Sequence, residues 1–243
     1  KRPVIIAGRG AMLANAKKEI EHLGDRIGAL LATSLIAKGF FDGNPYDIGI
    51  SGSLSSGPTE KLMADADLVL GIGASLNFYT TEGGMLFPNA RIVRVDVKPF
   101  HPEIGLSPGL FIQGDARAAA LALTRALEAK GASMEGYRSA STRAVLAAPA
   151  VQEPLATDGL DQRELMRVLS YSLPQNSQVI IGGGHFWAWP CAYLSLPEGG
   201  RYQITNSFGS VGLGLAHGIG AALGCPDRTT LVVEGDGGLL MGI

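Results

Sequence analysis

Over the first 130 residues, short β-branched or leucine-rich runs, the clearest of them almost wholly apolar, alternate with amphipathic stretches. Pro3-Val4-Ile5-Ile6-Ala7 opens the chain as one such run, and Leu68–Ile72 and Arg91–Val95 follow. Unbroken apolar runs, as opposed to alternating ones, predict strands covered on both faces, and helices between them make the sheet parallel. The spacing predicts a helix from about Ala11 to Leu23 that stops at Gly24. A second helix is predicted over Ala116–Lys130, rich in alanine and carrying Leu121, Leu123 and Leu127. Residues 1–131 therefore read as one doubly wound α/β domain.

Residues 132–157 lose this pattern. Small and polar residues dominate around Pro149 and Pro154, which predicts a linker with a short helix over Thr142–Ala147. From residue 158 the pattern resumes. Asp161 with Glu164 three positions on resembles a capping box for a helix reaching Leu173. The strand Gln178–Ile181 runs into Gly182-Gly183-Gly184, and a strand over Tyr202–Thr205 runs into the glycine-bearing segment 207–214. A glycine-rich helix over Gly212–Leu223 then leads to a strand over Thr230–Glu234. This second α/β region has at most three strands, too few to bury a core by itself, so its end at Ile243 is expected to cut through a larger domain.

Composition narrows the function classes. The 243 residues carry 22 acidic and 20 basic side chains with no basic block, which argues against a nucleic-acid footprint. The longest apolar stretch, Gly209–Cys225, is broken by Ser210, His217 and six glycines and makes a poor membrane span. No signal peptide opens the chain, and a cytoplasmic location is expected. Two cysteines, Cys191 and Cys225, exclude a disulfide framework and a cysteine-rich zinc site. Glycine, at 34 residues, is about twice its usual ~7% share, as expected where backbone must approach a ligand closely.

The sharpest local signal is Val232-Val233-Glu234-Gly235-Asp236-Gly237-Gly238-Leu239, where a strand empties into glycines ahead of helix-forming residues. Such glycines admit a phosphate to backbone amides, and Asp236 offers a hard oxygen to Mg²⁺. A tight Asp-Gly hairpin turn accounts for the same residues equally well. Two further loops, Gly182–His185 and Ser207–Gly214, would share one edge with it, at the end where parallel sheets bind ligands. On its own His185 reads as a packed or solvated loop histidine. Gly214, Gly218 and Gly220 read as close-packing positions, and Trp187 and Trp189 as core or interface aromatics.

The order of these phrases is what carries a resemblance. Gly-Gly-His after a strand is followed by Ser207-Phe208-Gly209-Ser210-Val211-Gly212-Leu213-Gly214, then Pro226-Asp227-Arg228 and Gly235-Asp236-Gly237. Upstream stand Arg2–Gly10, Ala66–Ala74, Arg91–Asp96 and Gly114-Asp115. Together they resemble the thiamine-diphosphate-dependent enzymes, in particular the acetolactate synthase, pyruvate oxidase and benzoylformate decarboxylase relatives. The likeness covers nearly the whole chain and implies a Rossmann-like central domain followed by the first part of a diphosphate-binding domain.

The resemblance implies roles residue by residue. Asp236 falls on the family's Mg²⁺ ligand, with the Gly237 and Gly238 amides beside the diphosphate. His185, with the Gly184 backbone, matches the loop that touches the diphosphate from the other side. Gly209 would offer its carbonyl to the aminopyrimidine, with Ser210 beside it. Val211 takes the place of the apolar residue that holds the cofactor bent, where many relatives carry methionine or leucine.

The family's activating glutamate and the asparagine that completes its Mg²⁺ site have no counterpart in this sequence, so the isolated chain is expected to be inactive. The whole protein is expected to act on a 2-oxo acid by decarboxylation or carboligation, as a homodimer or homotetramer. The central domain of some relatives binds FAD or ADP. Gly8-Arg9-Gly10, Gly49–Gly52 and Asp96 are the positions that would approach a nucleotide here. The run Gly73-Ala74-Ser75-Leu76-Asn77-Phe78 lacks the arginine usual in flavin-binding relatives, so FAD is not favoured. The alternative reading is a nucleotide-binding regulatory module, for FAD, NAD or ADP, without catalysis.

Overall fold

The computed structural model describes residues 1–101, 105–148, 159–197, 199–205 and 209–243. The chain divides into two compact units, Lys1–Ala150 and Val151–Ile243.

The first unit runs β1 (Pro3–Ala7), α1 (Arg9–Leu13), α2 (Lys17–Ile27), β2 (Leu30–Thr33), β3 (Asp47–Ile50), α3 (Gly57–Ala64), β4 (Leu68–Ile72), α4 (Phe78–Thr81), β5 (Arg91–Asp96), β6 (Leu110–Gln113), α5 (Ala116–Ala129) and α6 (Ala140–Ala147). Its six strands form one sheet in the order β3-β2-β1-β4-β5-β6, every neighbouring pair parallel. Each inner strand feeds two cores, because successive side chains point to opposite faces. Ile5, Leu31, Leu70 and Ile72 pack with Ile20 and Leu23 of α2 and Ala120 of α5 on one face. Val4, Ile6, Leu30 and Val69 pack with Leu62, Met63 and Phe87 on the other. The unbroken apolar runs therefore mark strands buried on both sides, as the sequence pattern predicts.

Two expectations need correction here. The helix expected over Ala11–Leu23 is two helices, broken where Asn15 turns left-handed at φ 49°. Its second part continues past Gly24 and ends at Gly28, whose φ of 63° is the left-handed cap that releases the chain. Gly24 is instead a packing position. A Cβ there would stand 3.1 Å from Leu31 Cδ2 and 2.9 Å from Arg138 Nη2.

The stretch 132–148, expected to be linker, folds onto the first unit. The buried Tyr137 hydroxyl donates to the Leu62 carbonyl at 2.9 Å. Arg138 Nε donates to the Ala29 carbonyl at 2.7 Å, and its guanidinium lies 4.1 Å over the Tyr46 ring. The expected short helix is α6, capped by Ser139, which accepts from the Thr142 amide. The remainder of the expected linker, 149–157, lies outside the described residues.

The second unit runs α7 (Gln162–Ser172), β7 (Ser177–Ile181), α8 (Ala188–Tyr193), β8 (Arg201–Ile204), α9 (Gly214–Gly224), β9 (Thr229–Val233) and α10 (Asp236–Gly242). The three strands pair in parallel in the order β8-β7-β9. Only β7 is buried along its whole length. Asp161 caps α7 through the Arg163 amide, while Glu164 pairs with Arg167 at 3.7 Å and does not close a capping box. Gly218 packs against Val232, as expected of a close-packing glycine, but Gly220 faces open space. Among the described residues no helix is long and apolar enough to cross a membrane, and neither cysteine forms a disulfide.

Candidate functional site

In an open parallel sheet, ligands bind beyond the carboxyl ends of the strands where the strand order reverses. The first sheet reverses between β1 and β4, and the second between β7 and β9. The loops at these two places are built differently.

At the first reversal the loops close on each other. Gly8 and Gly10 amides donate to the Ile72 and Gly73 carbonyls at 3.0 and 2.9 Å, and the Gly73 amide donates to the Val95 carbonyl at 2.9 Å. A Cβ on Gly10 would stand 2.8 Å from Gly73 Cα, and one on Gly8 or Gly73 would collide with the facing backbone. Asp96 is engaged as well, paired with Arg94 at 3.0 Å and accepting from the Lys98 amide at 3.1 Å. At the end of β3, Ser51 donates to the Thr80 carbonyl at 2.8 Å, and Gly52 lies against the Tyr79 backbone.

At the second reversal the parallel register brings the ends of β7, β8 and β9 to one edge. The Asp-Gly hairpin alternative is excluded, because β9 pairs in parallel with β7 and is followed by α10. The Gly182 amide donates to the Val233 carbonyl at 3.0 Å, tying the β7 loop to the end of β9. A Cβ on Gly183 would stand 2.7 Å from the Ser210 carbonyl oxygen, and one on Gly235 would stand 3.0 Å from the Phe186 ring. Gly212, at φ 90°, turns its loop against α10, where a Cβ would stand 3.1 Å from the Met241 Cβ. Each of the three loops thus touches the other two.

The expected site residues sit around this junction. Asp236 is the exposed first residue of α10. Its carboxylate has no hydrogen-bond or ion-pair partner among the described residues. Gly237 beside it faces open space, while Gly238 is buried. His185 is exposed and opens a short 3-10 turn after Gly184. Gly209 has a left-handed φ of 74° with open space around it, which only a glycine adopts freely. Ser210 is half-buried, and Val211 is 38% exposed and free to meet an apolar ligand. Asn206, Ser207 and Phe208 lie outside the described residues. Trp187 and Trp189 are half-buried, the latter stacked on Tyr193 at 6.0 Å.

One residue of this junction escaped the sequence reading. Glu234, directly after β9, turns its carboxylate inward among Gly182, Gly214 and Gly238, and a Cβ on any of these glycines would collide with it. Both carboxylate oxygens are shut from solvent with no hydrogen-bond partner among the described residues. An acidic residue ending the apolar run Leu231-Val232-Val233 was the available signal.

The donor set suits a metal-bridged phosphate. Among the described residues no three His, Cys, Asp or Glu side chains converge on one point. Mg²⁺, however, needs only one or two protein carboxylates and takes its remaining oxygens from phosphate and water. Asp236 is one such carboxylate, without a partner among the described residues, and Gly237 beside it and Gly209 face open space.

A profile described as "Thiamine pyrophosphate enzyme, central domain" matches residues 1–123. One described as "Thiamine pyrophosphate enzyme, C-terminal TPP binding domain" matches residues 182–243. The chain is 30% identical to the sulfoacetaldehyde acetyltransferase of Roseovarius nubinhibens, over 98% of its own length and 43% of that protein. It is 32% identical to the probable 2-ketoarginine decarboxylase of Pseudomonas aeruginosa, over 99% and 42%. It is 27% identical to the acetolactate synthase isozyme 1 large subunit of Escherichia coli, over 100% and 43%. The chain thus spans about two fifths of the length of these relatives.

Proposed function

Because the chain belongs to the thiamine pyrophosphate enzyme family, we propose that it forms part of a thiamine-diphosphate- and Mg²⁺-dependent enzyme acting on a 2-oxo acid. Decarboxylation or carboligation is the reaction class, and the substrate is a small molecule. The observation that carries the reading is the second unit's edge, where three glycine loops meet beside an exposed, unpartnered Asp236 at a reversal of strand order. Relatives named as an acetyltransferase, a decarboxylase and a synthase support the reaction class without choosing within it.

Asp236 would supply the protein oxygen to Mg²⁺, with the Gly237 amide open beside it. The backbone of Gly184 and the side chain of His185 would face the diphosphate from the β7 loop. Gly209 would orient the aminopyrimidine through its carbonyl, and Val211 would shield the apolar middle of the cofactor. Ser210, whose carbonyl oxygen lies against Gly183, keeps the two loops in register. When bound, thiamine diphosphate supplies the carbanion stabilisation that 2-oxo acid chemistry needs, and the protein supplies position and electrostatics.

The reading gives activity to the whole protein and none to this chain alone, and it includes assembly as a homodimer or homotetramer. Exposed apolar side chains on the second unit, among them Leu223, Leu240 and Met241, suit burial against further protein.

Calorimetric titration of thiamine diphosphate with Mg²⁺ into the intact protein, beside Asp236→Ala, tests the assignment. Binding by the parent that the substitution abolishes is expected. A folded parent protein that binds neither would overturn it.

A further inference from the structure

Phe186 is a side chain of this edge that the cofactor assignment leaves unused. It sits in the turn His185–Trp187, which sets two neighbours apart: His185 is exposed and Phe186 half-buried. Gly184 opens the turn with φ 141° and ψ 178°, a region that glycine alone enters freely, and the Trp187 amide closes it by donating to the Gly184 carbonyl at 3.3 Å. One edge of the Phe186 ring then meets two loops. A Cβ on Gly184 would stand 3.2 Å from Cε1 and 3.3 Å from Cδ1, and one on Gly235 would stand 3.0 Å from Cδ1 and 3.4 Å from Cε1. Gly184 directly precedes His185, and Gly235 directly precedes Asp236. The ring is thus the shared neighbour of the two backbones that carry the exposed side chains of this site.

The bond from the Gly182 amide to the Val233 carbonyl ties these two loops at their roots. Past that bond both run through glycine, whose backbone is free to shift unless something rigid packs against it. A phenyl ring has no internal torsion to give way, so a ring in contact with both loops fixes their separation. A ligand that touches both loops gains from a separation set in advance, because ordering them on binding would cost affinity. Resting on the cofactor reading above, we propose that Phe186 is a positioning residue, whose ring holds the Gly184–His185 backbone and Asp236 at the separation that a diphosphate bridges. It does so without touching phosphate or cation. A single phosphate reaches one loop only and gains less.

The measurement is the affinity of the intact protein, in saturating Mg²⁺, for thiamine diphosphate and for thiamine monophosphate. It is made on the parent, Phe186→Leu, Gly235→Ala and the double variant, with Phe186→Met in reserve should Phe186→Leu fail to fold. Gly235 has φ −80° and ψ 157°, which alanine adopts without strain, and the three atoms nearest its added Cβ all belong to the Phe186 ring. Each single variant should weaken diphosphate binding by about tenfold and monophosphate binding by less than about threefold. In the double variant the shorter side chain makes room for the added methyl, and diphosphate affinity should return to within about threefold of the parent. Equal losses for the two ligands, or losses that simply add in a folded double variant, would overturn this inference alone. Where monophosphate does not bind at all, the rescue in the double variant decides. A folded parent that binds no thiamine diphosphate would overturn the cofactor reading, and the inference with it.

Discussion

Both parallel sheets of this chain end in glycine-bearing loops where the strand order reverses, and the two edges use those glycines in opposite ways. In the first unit the Gly8 and Gly10 amides are spent on the carbonyls of Ile72 and Gly73, so loop packs on loop. In the second, the loops touch but leave Asp236 exposed, and among the described residues neither it nor the enclosed Glu234 carboxylate has a partner. Glycine after a strand therefore marks close backbone approach, and the approaching group is decided by which polar atoms remain unsatisfied. The first edge turns its backbone polar groups on itself, and the second leaves carboxylates without a partner among the described residues.

Four substitutions would break or sharpen this contrast. The largest effect is expected from Gly73→Ala. The residue has φ 59°, and its Cβ would collide with the backbone of Gly10 and Ala11. A loss of about 3–5 kcal/mol is expected in the opening free energy of β1 and β4 amides, read by native-state hydrogen exchange. Cofactor affinity of the folded protein should not change. A cost below 1 kcal/mol would mean that the first edge is not closed by these contacts.

The next effect is a pH dependence confined to the first unit. Burial, reinforced by the nearby Asp42 and Glu21 charges, pushes the Asp47 carboxyl up to about 6 from its ordinary 3.8. The folded state then holds the proton more tightly than the unfolded chain. Stability should fall as pH rises from about 4 to about 6 and level off above. Asp47→Asn, which keeps the acceptor for the Gly49 amide, should flatten that slope. Near pH 7.5 it should add on the order of 2 kcal/mol, after allowance for partial solvent access. An unchanged slope in a denaturant series across this window would contradict the assignment.

Tyr137→Phe should cost about 1 kcal/mol by leaving the Leu62 carbonyl without its donor. The loss should appear in the exchange of first-unit amides, because residues 132–148 belong there. The smallest stability effect is expected at the open edge. Asp236→Ala removes an exposed group with no partner, so melting should shift by no more than about 0.5 kcal/mol equivalent while Mg²⁺-dependent binding is lost.

Much of this architecture was legible in the sequence, and the exceptions have physical causes. β1 and β4 were readable to the residue, because a strand buried on both faces has no polar position to blur its limits. β2, β3 and β6 passed unread. They are four residues each, and β6 is an edge strand with Leu110 more than half exposed. Gly24 looked like a helix stop, but termination depends on a left-handed φ, found at Gly28. The segment around Tyr137 and Arg138 carries no periodic pattern because its order comes from long-range hydrogen bonds to Leu62 and Ala29. At the site, Asp236 and its neighbouring loops were readable because a parallel sheet must bring its carboxyl ends to one edge. Glu234 was not, since its burial depends on glycines at 182, 214 and 238, which meet only in the fold.

The contrast between the two edges is tested most directly by hydrogen exchange on the intact protein with and without thiamine diphosphate and Mg²⁺. The account predicts new protection in residues 182–186, 209–214 and 234–238, with the exchange of residues 8–11 and 73–74 unchanged. Ligand-induced protection at the first edge with none at the second would contradict it.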